Sequence, residues 1–159
     1  MHHLLVPRTD NRDKVYLDRI VPLNDKAIAL AQAGDHQSAE ELYRRLLRLS
    51  QSLLGPHHRA TLTSINNLAT SLSRQGKYRE GEHLHREELR LSIDLLGEAH
   101  PDTWASMNNL AAVLVDQGRD GEAVRVLRRV AAIKRDVLGD GHPSTKSSVD
   151  TLRRLVANC

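Results

Sequence analysis

LGPHHRATLTSINNLA at 54–69 and LGEAHPDTWASMNNLA at 96–111 are two copies of one sixteen-residue pattern, and their offset of 42 residues decides the fold. The same period links Leu54-Gly55, Leu96-Gly97 and Leu138-Gly139, then His58, His100 and His142, then Thr61, Thr103 and Thr145. It also links Gly34, Gly76 and Gly118, each 21 residues before the glycine of a Leu-Gly pair. One unit is therefore two halves of equal length, each closed by glycine. A fixed period in this size range is the signature of a repeat architecture, in which each unit buries its apolar face only against its neighbours.

Each half reads as a helix. Ile65, Leu68, Ala69 and Leu72 recur at helical spacing, as do Met107, Leu110, Ala111 and Leu114, and before them Leu23, Ala27 and Leu30. Glycine then ends each segment, as a helix C-terminal residue of positive φ does. The second halves carry stripes read as Ala39, Leu42, Leu46, Leu49 and Leu53, then Tyr78, Leu84, Leu91 and Leu95, then Ala123, Val126, Leu127, Val130, Ile133 and Val137. Small residues at Ala27, Ala69 and Ala111 would let paired helices approach closely. The remainder, HPSTKSSVDTLRRLVANC, is half a unit. Its Leu152 keeps the register of Leu68 and Leu110, but Arg153 stands where earlier units have alanine, as expected of a polar-faced helix closing a stack.

Composition agrees with this reading. The 159 residues are 40% hydrophobic but 3% aromatic, with no Phe, so the core must be aliphatic. The single Cys is the last residue, which rules out an internal disulfide and makes a reducing, cytoplasmic setting the expectation. No stretch is apolar for long enough to span a membrane, and residues 1–12 read as a disordered or tag-like N-terminus. Residues 13–159 are expected to form one domain, with units at about 16–55, 58–97 and 100–139 and a capping helix at 143–157.

LGxxHPxT followed by NNLA, a Gln-Gly pair and a second helix back to Leu-Gly resembles the 42-residue tetratricopeptide repeats of kinesin light chains. The match is close over 58–139, covers the first helix of 140–157, and is weaker over 16–54, where Tyr16 replaces the His, Pro22 interrupts the first helix and only Asn24 keeps the Asn pair. The resemblance implies an all-α, right-handed α-solenoid of antiparallel helix hairpins, whose first helices line a concave groove for a peptide or partner helix. It implies a binding fold, with no catalytic residues.

The residues point to the same face independently. Opposite the apolar stripe of the 61–74 helix lie Thr63, Asn66, Asn67, Thr70, Ser73 and Arg74, polar but nearly uncharged. A merely solvated face usually carries Lys and Glu, which form helix more readily than Asn, Thr and Ser. The next unit presents Ala105, Asn108, Asn109, Ala112, Val115 and Asp116, and the first unit presents Asn24, Asp25, Ile28, Ala31 and Gln32. Stacking would align Asn24, Asn66, Asn108 and Asp150 as a ladder beside apolar patches of Ile28, Ala112 and Val115. Two roles are open to each Asn: contact with a ligand's backbone, since an amide both donates and accepts, or a bond to a neighbouring repeat that sets the stacking angle. Arg74 alone gives this groove a cation, while Asp116 and Asp150 disfavour acidic ligands.

His58, His100 and His142 mark the turn into each first helix, where Pro101, Pro143 and Asp102 suit a helix start. Their role is read as turn formation and inter-repeat packing. A lone Glu80-x-x-His83 does not make a metal site, because a di-metal bundle needs the motif from two helices, and no cofactor or metal is expected. The net charge is +3, with Arg44, Arg45 and Arg48 on one helix and Arg125, Arg128, Arg129, Lys134 and Arg135 on another. Interleaved acidic residues make these a solvated convex face rather than a nucleic-acid stripe. No phosphate loop, nucleophile elbow or paired-Cys motif points to an enzyme. Trp104 reads as an inter-repeat packing residue. The expected function is an adaptor or scaffold binding a protein or peptide in the groove. The alternatives are a self-assembling repeat that associates through its terminal helices or convex face and, after it, a nucleic-acid-associated protein using its basic convex face.

Overall fold

The computed structural model describes residues 14 and 16–157, so residues 1–12 and Cys159, about which the sequence raised expectations, lie outside the described residues. All described regular structure is helical. A π-helical turn at Tyr16–Ile20 precedes seven α-helices: α1 (Val21–Gln32), α2 (His36–Leu54), α3 (Arg59–Arg74), α4 (Tyr78–Leu96), α5 (Pro101–Asp116), α6 (Asp120–Leu138) and α7 (Pro143–Ala157). Pro22 does not break α1. It occupies the first turn, where a helical N–H has no intrahelical partner and its absence removes no bond. The chain compacts into two units, one ending at Ser64 and one beginning at Ile65.

The connections are as regular as the period requires. Gly34, Gly55, Gly76, Gly97, Gly118 and Gly139 all have φ between +70° and +90°. A Cβ at any of the six would meet nothing, so backbone conformation rather than space selects glycine there. Each first helix after the first begins the same way. His58, His100 and His142 each accept, at Nδ1, the backbone N–H two residues on, at 3.1 Å. An imidazole thus caps α3, α5 and α7 in the role more often given to Ser or Asp. Thr61 and Thr103 donate their hydroxyls to the carbonyls of Gly55 and Gly97 at 2.7 and 2.8 Å, tying each helix start to the preceding turn. The turn role read for the three histidines is what the structure shows.

In the first unit α1 and α2 pair around Ile20, Ala27, Ala39, Tyr43, Leu46 and Leu54, all buried. The hydroxyls of Ser50 and Ser64 meet at 3.0 Å in this core. In the second unit Leu110, Ala111, Val113, Leu114, Ala123 and Leu127 form one cluster, against which Leu152 and Leu155 of α7 pack. Trp104, Met107 and Val130 form another, flanked by Leu89, Ile93 and Ile133 from α4 and α6. Trp104 is thus a packing residue joining three helices, and its indole N–H donates to the Glu98 carbonyl at 2.9 Å.

The stripes of α3 and α5 stand as read, with Ile65, Leu68, Ala69, Leu72, Met107, Leu110, Ala111 and Leu114 all buried, while in α1 Ala27 is buried and Leu23 and Leu30 are half-buried. In the second helices Ala39, Leu46, Leu91, Ala123, Leu127 and Val130 are buried as read, but the other positions are corrected, several of them by one residue. The buried line runs Ala39, Tyr43, Leu46, Ser50, Leu54 in α2, then Gly81, His85, Glu88, Leu91, Ser92 in α4, and includes Ala123, Leu127, Val130, Lys134 in α6. Leu95 and Val137, assigned to the core from the sequence, are 41% and 50% exposed. Polar residues at Ser50, His85, Glu88, Ser92 and Lys134 hid the true centre of each stripe, because they are buried with hydrogen-bonding or packing partners that sequence alone does not reveal.

Candidate functional groove

The side chains of the α3 and α5 outer faces lie as follows in the second unit. Asn66, Asn67, Thr70, Ser73 and Asn109 are half-buried, while Arg74, Asn108, Ala112, Val115, Asp116 and, on α7, Asp150 are exposed. In the first unit Thr63 and Ile28 are exposed and Asn24 is half-buried. Asn109 Nδ2 donates to Asn66 Oδ1 at 2.8 Å, so α5 is fastened to α3 by the second Asn of one pair and the first Asn of the other. This bond runs diagonally across the repeat register. It uses one acceptor of Asn66 and one donor of Asn109, leaving Asn108 exposed beside them. Ser73 donates its hydroxyl to the Ala69 carbonyl at 2.9 Å within α3.

Asn108, Ala112, Val115 and Asp116 come together on one wall of a cleft of about 370 Å³. The opposite wall is α7, through Ser147, Ser148, Thr151 and Leu155, and the floor is α6, through Leu127 and Lys134. Asp150 does not line this cleft and instead pairs with Arg153 at 3.4 Å.

Lys134 is where the sequence reading needs the largest correction. Grouped there with the arginines of a solvated face, it is 7% exposed and turned into the cleft floor. Its ammonium donates to Ser148 Oγ at 2.9 Å and lies 5.5 Å from the centre of the Trp104 ring. Burial lowers its pKa below the ordinary lysine value. The register explains how it got there: position 134 repeats Ser50 and Ser92, and Ser148 repeats Ser64 and Ser106. Arg74 is thus not the groove's single cation. The true arginines of α6 behave as a surface set, with Arg129 paired to Glu98 and Arg135 to Asp140 at 2.6 Å, and Arg44 of α2 is paired to Glu40 at 2.9 Å.

A second polar group lies inside the second unit, between α4 and α5. Glu88 Oε1 accepts the hydroxyls of Ser92 and Ser106, both at 2.8 Å. Burial raises its carboxyl above the ordinary value against the pull of those two bonds. His85, one turn away and 3% exposed, is driven down to about 4 by burial. Among the described residues neither His85 Nδ1 nor Glu88 Oε2 meets a hydrogen-bond partner. On the outside of α4, Glu82 accepts from Arg119 at 2.6 Å, Gln117 at 2.8 Å and Arg86 at 2.9 Å. Burial alone would raise its carboxyl, but the bonds from Gln117 and Arg86 and the charges of Arg119 and Arg86 outweigh it and hold it below the ordinary value. This residue, between the exposed Glu80 and His83 once weighed as metal ligands, carries the structural load of that helix face. Among the described residues no group of three or more His, Cys, Asp and Glu is placed to hold a metal ion, and no helix is long and apolar enough to cross a membrane.

Comparison with known proteins agrees with the geometry. The tetratricopeptide repeat profile matches residues 18–90 and 64–136. Comparison with curated proteins gives no match. Among solved structures, the TPR-like repeats of a kinesin light chain-like protein from Podosopora anserina superpose with a TM-score of 0.74 at 28% identity, over 86% of this chain and 65% of that one. The present chain therefore spans just under two thirds of that relative. BtubC (BKLC) from P. vanneervenii gives 0.69 at 20% identity, over 86% of this chain and 62% of that one. The N-terminal domain of stress-induced protein-1 from C. elegans gives 0.63 at 16%, over 87% and 94%. These last two speak for the all-α solenoid fold alone. By its repeat profile and its likeness to kinesin light chain-like repeats, the chain belongs to the tetratricopeptide repeat family.

Proposed function

We propose that this protein is a non-catalytic adaptor or scaffold that binds a peptide or partner helix along the face presented by α3, α5 and α7. Tetratricopeptide repeats are protein-interaction modules, and the observation that carries the finer reading is the cleft beside Asn108, Ala112 and Val115. Asn108 and Val115, poorer helix formers than the Lys or Glu of an ordinary solvated face, stand exposed there beside Ala112. Asn108 offers a donor and an acceptor to an extended main chain, and Ala112 and Val115 offer apolar contact. Within the second unit the proposed groove comprises Asn66, Asn67, Thr70, Ser73, Arg74, Asn108, Asn109, Ala112, Val115, Asp116 and Asp150, with Asn66 and Asn109 committed in part to each other, and Asn24, Ile28 and Thr63 are proposed as ligand contacts of the first unit by itself.

Selection of peptides from a displayed random library tests this. Peptides selected on the wild type are expected to lose binding to Ala112→Lys, whose side chain would fill the cleft, and to keep it on Arg125→Ala with Arg128→Ala. The reverse pattern would move the site to the outer face of α6. A second reading, self-association, is favoured by the exposure of Val137 and Val156, at 50% and 45%. Sedimentation velocity over a range of concentrations distinguishes it: a mass that rises with concentration in the absence of peptide supports assembly.

A further inference from the structure

We infer that the cleft between α1 and α2 is a docking seat for an amphipathic helix of a partner protein, with Lys26, Arg45 and Arg48 selecting acidic residues on its flanks. This surface lies within the first unit and stands independently of the groove reading above. The cleft measures about 660 Å³ and has one leucine on each wall, Leu30 from α1 and Leu42 from α2. Both leucines are half-buried, and among the described residues α1 and α2 alone line the cleft.

The repeat register tells what fills such a space elsewhere in the molecule. Lys26, Leu30 and Leu42 recur two units on as Leu110, Leu114 and Val126. Leu110 and Leu114 belong to one apolar cluster, and Val126 packs against it together with Tyr78 and Leu89 of α4. Because α4 is the second helix of the hairpin ahead, these positions mark the face that a preceding helix covers. In the first unit Lys26 stands exposed on that face, where Leu110 is 3% exposed. A helix is therefore the shape that the α1–α2 surface accepts.

The charges decide which helix. Lys26, Arg45 and Arg48 are exposed and form no ion pair among the described residues, while Arg44 is bound to Glu40 at 2.9 Å. Among the described residues Glu41 is the one carboxylate that lines the cleft. A basic rim around apolar walls complements a helix whose apolar stripe is flanked by Glu or Asp. The α2 wall runs from Ser38 to Arg48, about 15 Å at 1.5 Å per residue, which takes roughly three turns of such a helix. The α7 helix of a second copy does not complement this rim, because it exposes Lys146, Arg153 and Arg154 against Asp150 and so brings like charges together. Nucleic acid fits less well than a helix: the leucines would face a phosphate backbone, and no aromatic side chain lines the cleft to stack on bases.

The test is selection of a displayed library of helices, randomised along one face of a stable helical carrier, on the whole wild-type chain. The enriched helix is then synthesised in three forms: as selected, with its Glu and Asp changed to Gln and Asn, and with its residues scrambled. The variants are Arg45→Glu with Arg48→Glu, both exposed, and Ala112→Lys in the other cleft, with folding checked by circular dichroism. Enriched helices are expected to share an apolar stripe flanked by acidic residues. The selected form is expected to bind the double arginine variant about tenfold more weakly or worse, and Ala112→Lys as it binds the wild type. The Gln and Asn form and the scrambled form are each expected to lose about tenfold on the wild type. Equal binding of the scrambled form overturns the inference, because it reduces the surface to a solvated basic face. Binding lost on Ala112→Lys but kept on the arginine variant overturns it and leaves the groove reading standing. Failure to enrich any helix overturns it, as does a mixed-sequence DNA duplex that displaces the helix and is itself lost on the arginine variant. A wild-type mass that rises with concentration, and stops rising in the arginine variant, assigns the seat to a second copy and overturns it as well. Should the arginine variant unfold, the three peptide forms on the wild type still decide.

Discussion

Replacing His85 by Leu is expected to remove a loss of stability that the wild type suffers on mild acidification. His85 is 3% exposed in the α4–α5 core, and burial holds its pKa at about 4, against 6.5 for an exposed imidazole. At pH 7 both folded and unfolded chains carry it neutral, so it contributes nothing to the pH dependence. Between 6.5 and about 4 the unfolded chain binds a proton that the folded chain refuses, so stability falls as the pH falls. Integrated from pH 7 to pH 5, a shift of this size amounts to roughly 2 kcal/mol. Glu88 works in the opposite sense: with its pKa raised by burial, the folded chain takes up its proton first, and acidification stabilises. The wild-type profile is therefore a difference of two effects, and comparison with His85→Leu isolates one of them. Leu is well chosen because the same register holds Leu127 in the next repeat and Tyr43 in the preceding one. Urea unfolding followed by the fluorescence of the single Trp, at pH 7 and pH 5, is the assay. The stability of His85→Leu relative to wild type is expected to rise by about 2 kcal/mol between the two pH values. An unchanged difference would refute the argument, since it would mean that His85 is protonated in the folded protein.

Three further perturbations probe the scaffold. Gly81→Ala is expected to destabilise by roughly 1–3 kcal/mol despite its better helix propensity, because the new Cβ would press on Ser73 Oγ and stand 3.0 Å from the Ala69 carbonyl; a gain in thermal stability would contradict this. The Asn66→Ala and Asn109→Ala pair is expected to show a coupling of about 1 kcal/mol in a double-mutant cycle, and additive effects would mean the bond between α3 and α5 contributes nothing. His100→Ala is expected to cost about 1 kcal/mol through loss of the cap on the Asp102 N–H, while His100→Asn, which restores a side-chain acceptor, recovers most of it in the same melt.

The period of 42 residues, the helix ends and the apolar stripes of α3 and α5 were all legible in the chain, because they depend on local rules. A glycine at φ near +85° and a His ahead of a helix start act within a few residues of themselves. The centre of each second-helix stripe was not legible. A face more than 100° wide can be phased in more than one way by its leucines, and the residues that mark the true line, Ser50, His85, Glu88, Ser92 and Lys134, are polar. Their burial is tolerable only because Ser64, Ser106, Ser148 and Trp104 arrive from other helices to meet several of them. Likewise, the sequence marked Asn108, Ala112 and Val115 as a shared face but assigned Lys134 to the opposite side of the molecule. Which helix a side chain leans on is set by packing between segments distant in sequence, and on that depends whether a lysine is a solvated charge or the floor of a binding cleft.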